Sequence, residues 1–439
     1  MNTRGSSAPR LYATIWRWHF YAGLFVLPFI LILSVTGSIY LFKPQIDRWE
    51  ERDFQGLSTA KAVSPDRQLA AVLARYPGTR FDFYRLPERA GDAAMVGIGL
   101  TDGSQRQVFV SPQGQVLGSL VPDRRLSDTV SRIHGSLLLG PVGDWLVELA
   151  ASWTIVMILS GLYLWWPRPL RLAGTVWPRL ALKGRPFLKD LHRVLGFWVA
   201  GLVLVMLASG LPWAGVWGGA FKWVRSEMGW VQGPQDWKVG AGEHHHGGAM
   251  PAMVMPAKPM PSLPLATFVA KAGHEHMAFP VLVLPPHAPQ RFGPPTGEVW
   301  TVKSEAQNRR LDRQVMYAPA TGAEIGRRGF ADSHVIDRVV NTGVSWHEGQ
   351  LFGVANQIVG VLTALTLVTV SILGVVMWLK RRPSGELGAP VSSSARPGRP
   401  LIIALIVLGL LLPMFSASLL VILVIESILA QRRRAPRVA

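Results

Sequence analysis

Five stretches of this chain stay apolar for at least the roughly 20 residues that a bilayer core requires. They run near 19–42, 144–166, 192–217, 352–379 and 401–429, and each is predicted to be a membrane-spanning helix. Two long segments of different pattern, 43–143 and 218–351, separate the first span from the second and the third from the fourth. In them "RQVFVSPQGQVLG" (Arg106 to Gly118) and "RQVMYAPATGAEIG" (Arg313 to Gly326) alternate apolar and polar residues, turn at Pro plus Gly, and resume. That pattern predicts a β-hairpin in each segment. "PDRQLAAVLARYPG" reads as a helix ahead of the first set of strands. The expected architecture is an α-helical membrane bundle of about five spans carrying two external α+β domains.

The same pattern repeats along the chain. "HGSLLLG" from His134 and "HEGQLFG" from His347 both read His-x5-Gly, and each stands just before an even-numbered span. His134 and His347 are 213 residues apart, as are Gly161 and Gly374 near the ends of those spans. The first and third spans share His-x3-Gly (His19 and Gly23, His192 and Gly196) and close on Thr36-Gly37 or Ser209-Gly210. The unit is therefore span, external domain, span, present twice in one orientation. Such parallel repeats are related by an axis along the membrane normal.

Charge orients the chain. The N-terminus, 1–18, carries Arg4, Arg10 and Arg17 and no acid; the linkers 167–191 and 380–400 are also strongly basic. All three are predicted to be cytoplasmic, with the two long segments outside. The first apolar run is too long for a cleaved leader, and no small-x-small site precedes Lys43 and Pro44, so it is expected to remain as an anchor. A single tilted fifth span puts the basic tail, 430–439, outside; a tight hairpin at Pro413 returns it to the cytoplasm. A single tilted span is expected.

Composition agrees. Of 439 residues 49% are hydrophobic and 16% charged, and the mean hydropathy is positive. The net charge of +18 sits at the ends of apolar runs, which points to a membrane and not to nucleic acid. With no cysteine, disulfides, iron–sulfur clusters and thiolate chemistry are excluded.

The candidate chemistry lies in four histidines at repeat positions, His19, His192, His134 and His347. Ionisable side chains in spans are functional candidates by default. Two histidines on neighbouring helices can ligate one haem iron axially. Gly at i+4 from His19 and His192 shares their helix face and leaves room for a flat macrocycle. Arg17, Arg132 and Arg193 stand close in sequence as partners for propionates. Because His19 to Tyr40 covers roughly 30 Å of helix, the two pairs would lie towards opposite faces of the bilayer. Spacing does not decide which histidines pair, or whether one haem b or two are bound. "EHHHGGAMPAMVMPAKPMP", within the insert 231–262, offers His244, His245 and His246 as a second, metal-collecting candidate. The insert is otherwise expected to be disordered. Glu148 is expected to be a hydrogen-bonded carboxylate, and Trp165, Trp166 and Trp378 interfacial anchors. Arg124, Arg125, Arg327 and Arg328 follow the two hairpins and are candidates to attract an anion. Neither a dinucleotide fingerprint nor a P-loop is present, so electrons would come from a separate donor.

The "LHRVLG" and "HGSLLLG…GLYLWWPR" stretches, with the hairpin between spans, resemble the PepSY-associated transmembrane family of bacterial inner-membrane proteins. The resemblance covers nearly the whole chain except the His/Met insert and the tail. It implies PepSY-like external domains in the periplasm and a relation to haem-containing ferric-siderophore reductases. Carried over, the ligands would be His19, His134, His192 and His347. The expected function is electron transfer across the membrane to a ferric siderophore or other ferric chelate. The competing expectation is a non-enzymatic membrane protein that binds a metal or partner outside.

Overall fold

A computed structural model describes residues 7–166, 173–231, 261–290, 294–389 and 398–434. In the first half, α1 (Ser7–Tyr40) is the first span and begins earlier than its apolar run. The chain breaks at Leu41–Phe42, and α2 (Lys43–Glu50) starts with Pro44 in its first turn. Ser64 caps α3 (Pro65–Arg75) by accepting from the Arg67 amide. Then come β1 (Arg80–Arg85), β2 (Ala94–Gly99), β3 (Gln105–Val110) and β4 (Val116–Leu120), followed by α4 (Leu126–Ser136) and the second span, α5 (Gly140–Trp165). The second half repeats the order: α6 (Gly184–Gly210), α7 (Gly215–Glu227), α8 (Leu265–His274), β5 (Val281–Leu284), β6 (Trp300–Ser304), β7 (Arg313–Tyr317), β8 (Glu324–Gly329), α9 (Val335–His347) and α10 (Val354–Leu379). Both hairpins expected from the alternating segments are present, as β3–β4 and β7–β8.

The two strand sets form one sheet. Its order is β4-β3-β2-β1-β5-β6-β7-β8, antiparallel throughout. The halves meet at β1 and β5, where Tyr84 pairs with Val283 and Arg85 with Leu282. A single core runs across this seam: Val72 of α3 and Phe268 of α8 pack with Val96, Val283, Val302 and Val315 on one sheet face. Asp66 of α3 accepts from the first amides of α8, Leu265 at 2.8 Å and Ala266 at 3.0 Å, so one half caps a helix of the other.

Below the sheet, α1 packs against α5 and α10, and α6 packs against the same two helices. The spans therefore run α1, α5, α6, α10 around the bundle, with α1 facing α6 across it. Among the described residues these four are long and apolar enough to cross a membrane. The fifth run departs from expectation. It is two helices, α11 (Arg399–Leu411) and α12 (Pro413–Arg434), and not one span. Pro413 has no amide to donate and crowds the preceding turn, so the helix stops at Leu412. Ser416 donates to the Gly409 carbonyl at 2.8 Å. Seven residues of straight helix would set those groups about 10 Å apart; the chain turns sharply here. Leu412 and Phe415 at the turn pack on Val156 of α5 and Leu211 at the end of the third span.

Buried ion pairs fasten each half's linker helix to the helix that follows its sheet. In the first half, Arg125, at the start of α4, is 6% exposed and reaches Glu50 at 3.0 Å and Glu51 at 2.9 Å. It also donates to Gln107 of β3. In the second half the signs are swapped: Arg225 of α7 meets Asp337 of α9 at 2.7 Å. Arg125→Ala takes the ion-pair partner from Glu50 and one of two from Glu51, which keeps Arg85 at 2.6 Å, and is expected to cost about 1–3 kcal/mol. The thermal midpoint of the purified protein reads this; an unchanged midpoint would refute the clamp. Burial opposes ionisation of the neighbouring Asp47, but Lys43 and Arg125 outweigh it and hold its carboxyl below the usual range. Its contribution is thus present above an ordinary carboxylate pKa of about 4 and is lost as pH falls through the depressed value. The wild-type midpoint should accordingly drop below about pH 4, and by less in Asp47→Asn.

Candidate functional site

The four repeat histidines are held by one device used four times. His19 of α1 places its Nδ1 3.0 Å from the Met157 carbonyl of α5. His192 of α6 places its Nδ1 2.9 Å from the Val370 carbonyl of α10. His347 of α9 reaches the Met206 carbonyl of α6 at 2.9 Å, and His134 of α4 bonds the Leu33 carbonyl of α1. A carbonyl only accepts, so each Nδ1 carries the proton and donates it. That leaves every Nε2 as a bare lone pair, the tautomer that a metal ligand needs.

Each accepting carbonyl lies four residues before a glycine, and the ring rests on that glycine. A Cβ at Gly161 would stand 3.0 Å from His19 Cε1, at Gly37 3.1 Å from His134 Cε1, and at Gly210 3.0 Å from His347 Cε1. Gly374 leaves a looser 3.7 Å at His192. These glycines are the ones that seat the rings. The i+4 glycines have other surroundings: Gly196 has nothing within 4 Å, and Gly23 looks onto Met157. The seating glycines stand 97 to 182 residues from their histidines. The repeated Thr-Gly, Ser-Gly and Gly161/Gly374 positions were the available sequence signal.

His134 and His347 were expected near the outer ends of the second and fourth spans. They stand just ahead of those spans, on the separate helices α4 and α9, and their rings lean on the first and third spans. Gly140 and Gly353, both at positive φ (59° and 57°), turn the chain from those helices towards α5 and α10. The two rings come together at the sheet end of the bundle, with centroids 6.2 Å apart and planes at 75°. An imidazole nitrogen lies about 2 Å from a metal it binds and about 1 Å from its own ring centre. Two rings opposed across one iron thus have centroids roughly 6 Å apart, which is the spacing present. Depth in the protein lowers the pKa of His134 to about 4, with the neighbouring His347 adding to the effect, and burial lowers His347 as well. Both rings are therefore neutral and able to ligate.

A cavity of about 2380 Å³ opens between the sheet and the bundle and includes both rings. Its floor between the spans is largely apolar, with Leu33, Ala151, Thr154, Leu207, Ala364 and Leu367. Its upper walls carry Arg80, Arg106, Arg132, Lys303 and Arg309. Arg80 is paired with Asp82 and Lys303 with Glu305, whereas Arg132 donates to the Asp123 carbonyl and its buried Nε has no partner among the described residues. The floor suits a porphyrin and the Arg132 edge suits its propionates, so the residues present fit haem at this pair. At the far end of the bundle His19 and His192 sit on diagonal helices in the same lock, beside Arg193, whose buried Nε also has no partner among the described residues.

Other candidates resolve differently. Arg125 is part of the buried clamp, and Arg327 is paired with Glu275 at 2.8 Å and Glu324 at 2.9 Å, so neither is left to attract an anion. Arg124 is exposed and Arg328 half-buried. Glu148 accepts from the Val216 amide at 2.9 Å and the Trp217 amide at 3.1 Å, capping α7, as its reading as a hydrogen-bonded carboxylate expected. His244, His245 and His246 lie outside the described residues.

No curated protein matches the chain. The model of the PepSY-associated TM region, however, matches residues 16–381, which include all four locked histidines, both halves of the sheet, most of the first long span and the other three whole. The chain is a multi-pass membrane protein and belongs to the PepSY-associated transmembrane family.

Proposed function

We propose that the protein is a bacterial inner-membrane reductase that moves single electrons outward to ferric chelates in the periplasm. The observation that carries this reading is the fourfold lock, which presents four bare Nε2 atoms as two diagonal pairs at the two ends of one bundle. His134 and His347 would hold haem b at the sheet end, and His19 and His192 would hold it at the basic, cytoplasmic end. When bound, haem supplies reversible one-electron transfer. The chain's own part is to fix the imidazole tautomers, keep water from the apolar floor and admit the chelate above it. The cavity exceeds the roughly 300–1,000 Å³ of a pocket for one drug-sized ligand, so it has room for a macrocycle and a bulky chelate together. A separate cytoplasmic or membrane-borne donor is oxidised by one electron, Fe(III) in the chelate becomes Fe(II), and the hard oxygen ligands then hold it weakly.

The test is a reduced-minus-oxidised absorption spectrum of the purified protein with haem counted per chain, followed by mixing the reduced protein with a ferric trihydroxamate. A b-type spectrum at about two haems per chain and its loss on mixing are the expected results. Absence of haem after expression with precursor supplied would end this reading and turn attention to metal binding by the His/Met insert.

A further inference from the structure

The fourfold lock is not fourfold in one respect. The residue before each seating glycine is Ser160, Thr36 or Ser209 in three places and Leu373 in the fourth. The three hydroxyls lie against the histidine Nδ1 atoms: Ser160 at 3.0 Å from His19, Thr36 at 3.0 Å from His134, Ser209 at 3.2 Å from His347. Each hydroxyl spends its own proton on its helix. Ser160 donates to the Met157 carbonyl, Thr36 to Ile32 and Ser209 to Val205. What each turns to the imidazole is therefore a lone pair. The Nδ1–H of those three histidines is shared between a carbonyl and a hydroxyl oxygen, while Leu373 offers His192 no hydroxyl.

We infer that Thr36 and Ser209 are positioning residues that make the sheet-side haem the stronger reductant of the two. The inference rests on the reading above and adds what sets the potentials. Every acceptor on Nδ1–H shifts electron density through the ring to Nε2 and raises the basicity of the ligand. A more basic axial ligand favours Fe(III) over Fe(II), which lowers the reduction potential. The sheet-side pair has a hydroxyl on both ligands; the far pair has one, on His19. The group facing the chelate is the one whose electron is held least tightly. Ferric chelates with hard oxygen donors are reduced only by strong donors, so this is the end where such tuning serves the reaction.

Potentiometric titration of the full-length protein, followed by its absorption spectrum, tests this in three variants. T36V and S209A should each raise the potential of one haem, the same one, and leave the other haem and the haem content unchanged. The expected change is about threefold to tenfold in the Fe(III)/Fe(II) ratio at fixed ambient potential, the upper value being about 59 mV. L373S, which supplies the missing hydroxyl, should lower the potential of the other haem. Potentials that stay put in all three variants, with haem retained, would overturn the inference and leave the reductase reading standing. Loss of haem from T36V or S209A would make these hydroxyls ligand-holding groups and overturn it too. A wild-type protein without haem would defeat both readings at once.

Discussion

Removing the imidazole of His134 or of His347 is expected to lower haem content from about two to about one per chain, with chelate reduction abolished in both variants. The two rings stand 6.2 Å apart at the floor of one cavity, so neither ring alone completes an axial pair. His19→Ala and His192→Ala should instead empty the far site. In those variants haem at the sheet side should still be reduced by dithionite, yet not by a physiological donor added from the cytoplasmic side of inverted vesicles. Spectroscopy separates the two sites, and vesicle sidedness separates filling from discharge. If His134→Ala and His192→Ala abolish the same spectral component, the pairing by ends is wrong.

The second large effect belongs to residues that touch no cofactor. Gly161, Gly210 and Gly37 seat their rings so closely that a methyl group would stand 3.0 to 3.1 Å from an imidazole carbon. Helices at a fixed packing distance cannot open to relieve that contact cheaply, so the ring must tilt and its bond to the carbonyl must lengthen. Gly161→Ala, Gly210→Ala and Gly37→Ala are expected to weaken haem retention by about 10- to 100-fold, the usual effect of losing a partner behind a metal-binding histidine. At Gly374 the same methyl stands at 3.7 Å from His192, an ordinary contact. Gly374→Ala should therefore retain haem, as should Gly201→Ala, where nothing lies within 4 Å. Haem retained through size-exclusion in detergent gives the ranking. Equal behaviour of alanine at 210 and 374 would show that ring seating is not what these glycines provide.

Much of this molecule can be read from its residues, and what cannot has identifiable physical causes. The four spans announce themselves because lipid demands long apolar runs, and each hairpin is encoded within a dozen residues. The duplication is visible because matching motifs recur at a fixed offset. The seam between β1 and β5 carries no such signal. It rests on two residue pairs from segments nearly 200 residues apart, and nothing local distinguishes a strand that meets its own half from one that meets the other. The seating glycines are hidden for the same reason: Gly210 serves a histidine 137 residues away. At the C-terminal end, hydropathy averages through Pro413 and suggests one helix, whereas a proline stops the hydrogen-bond ladder whatever the hydropathy. For His134 and His347, helical periodicity places a histidine near a span without revealing that a glycine at positive φ has put it on a helix of its own.

The lock and the pairs divide the chain along different lines. Every histidine is seated by a glycine and a carbonyl of its own half: His19 and His134 by the first, His192 and His347 by the second. Yet each end of the bundle draws one histidine from either half, and the two strand sets join where β1 meets β5. A half chain is thus a finished ligand-presenting module that cannot complete a single site alone. In quaternary terms the chain is built like a homodimer whose subunits are joined end to end, with each histidine pair drawn from both halves. Two halves of one chain are free to differ. The leucine at 373 and the long His/Met insert, each present in one copy only, are changes that a true homodimer could make only twice over.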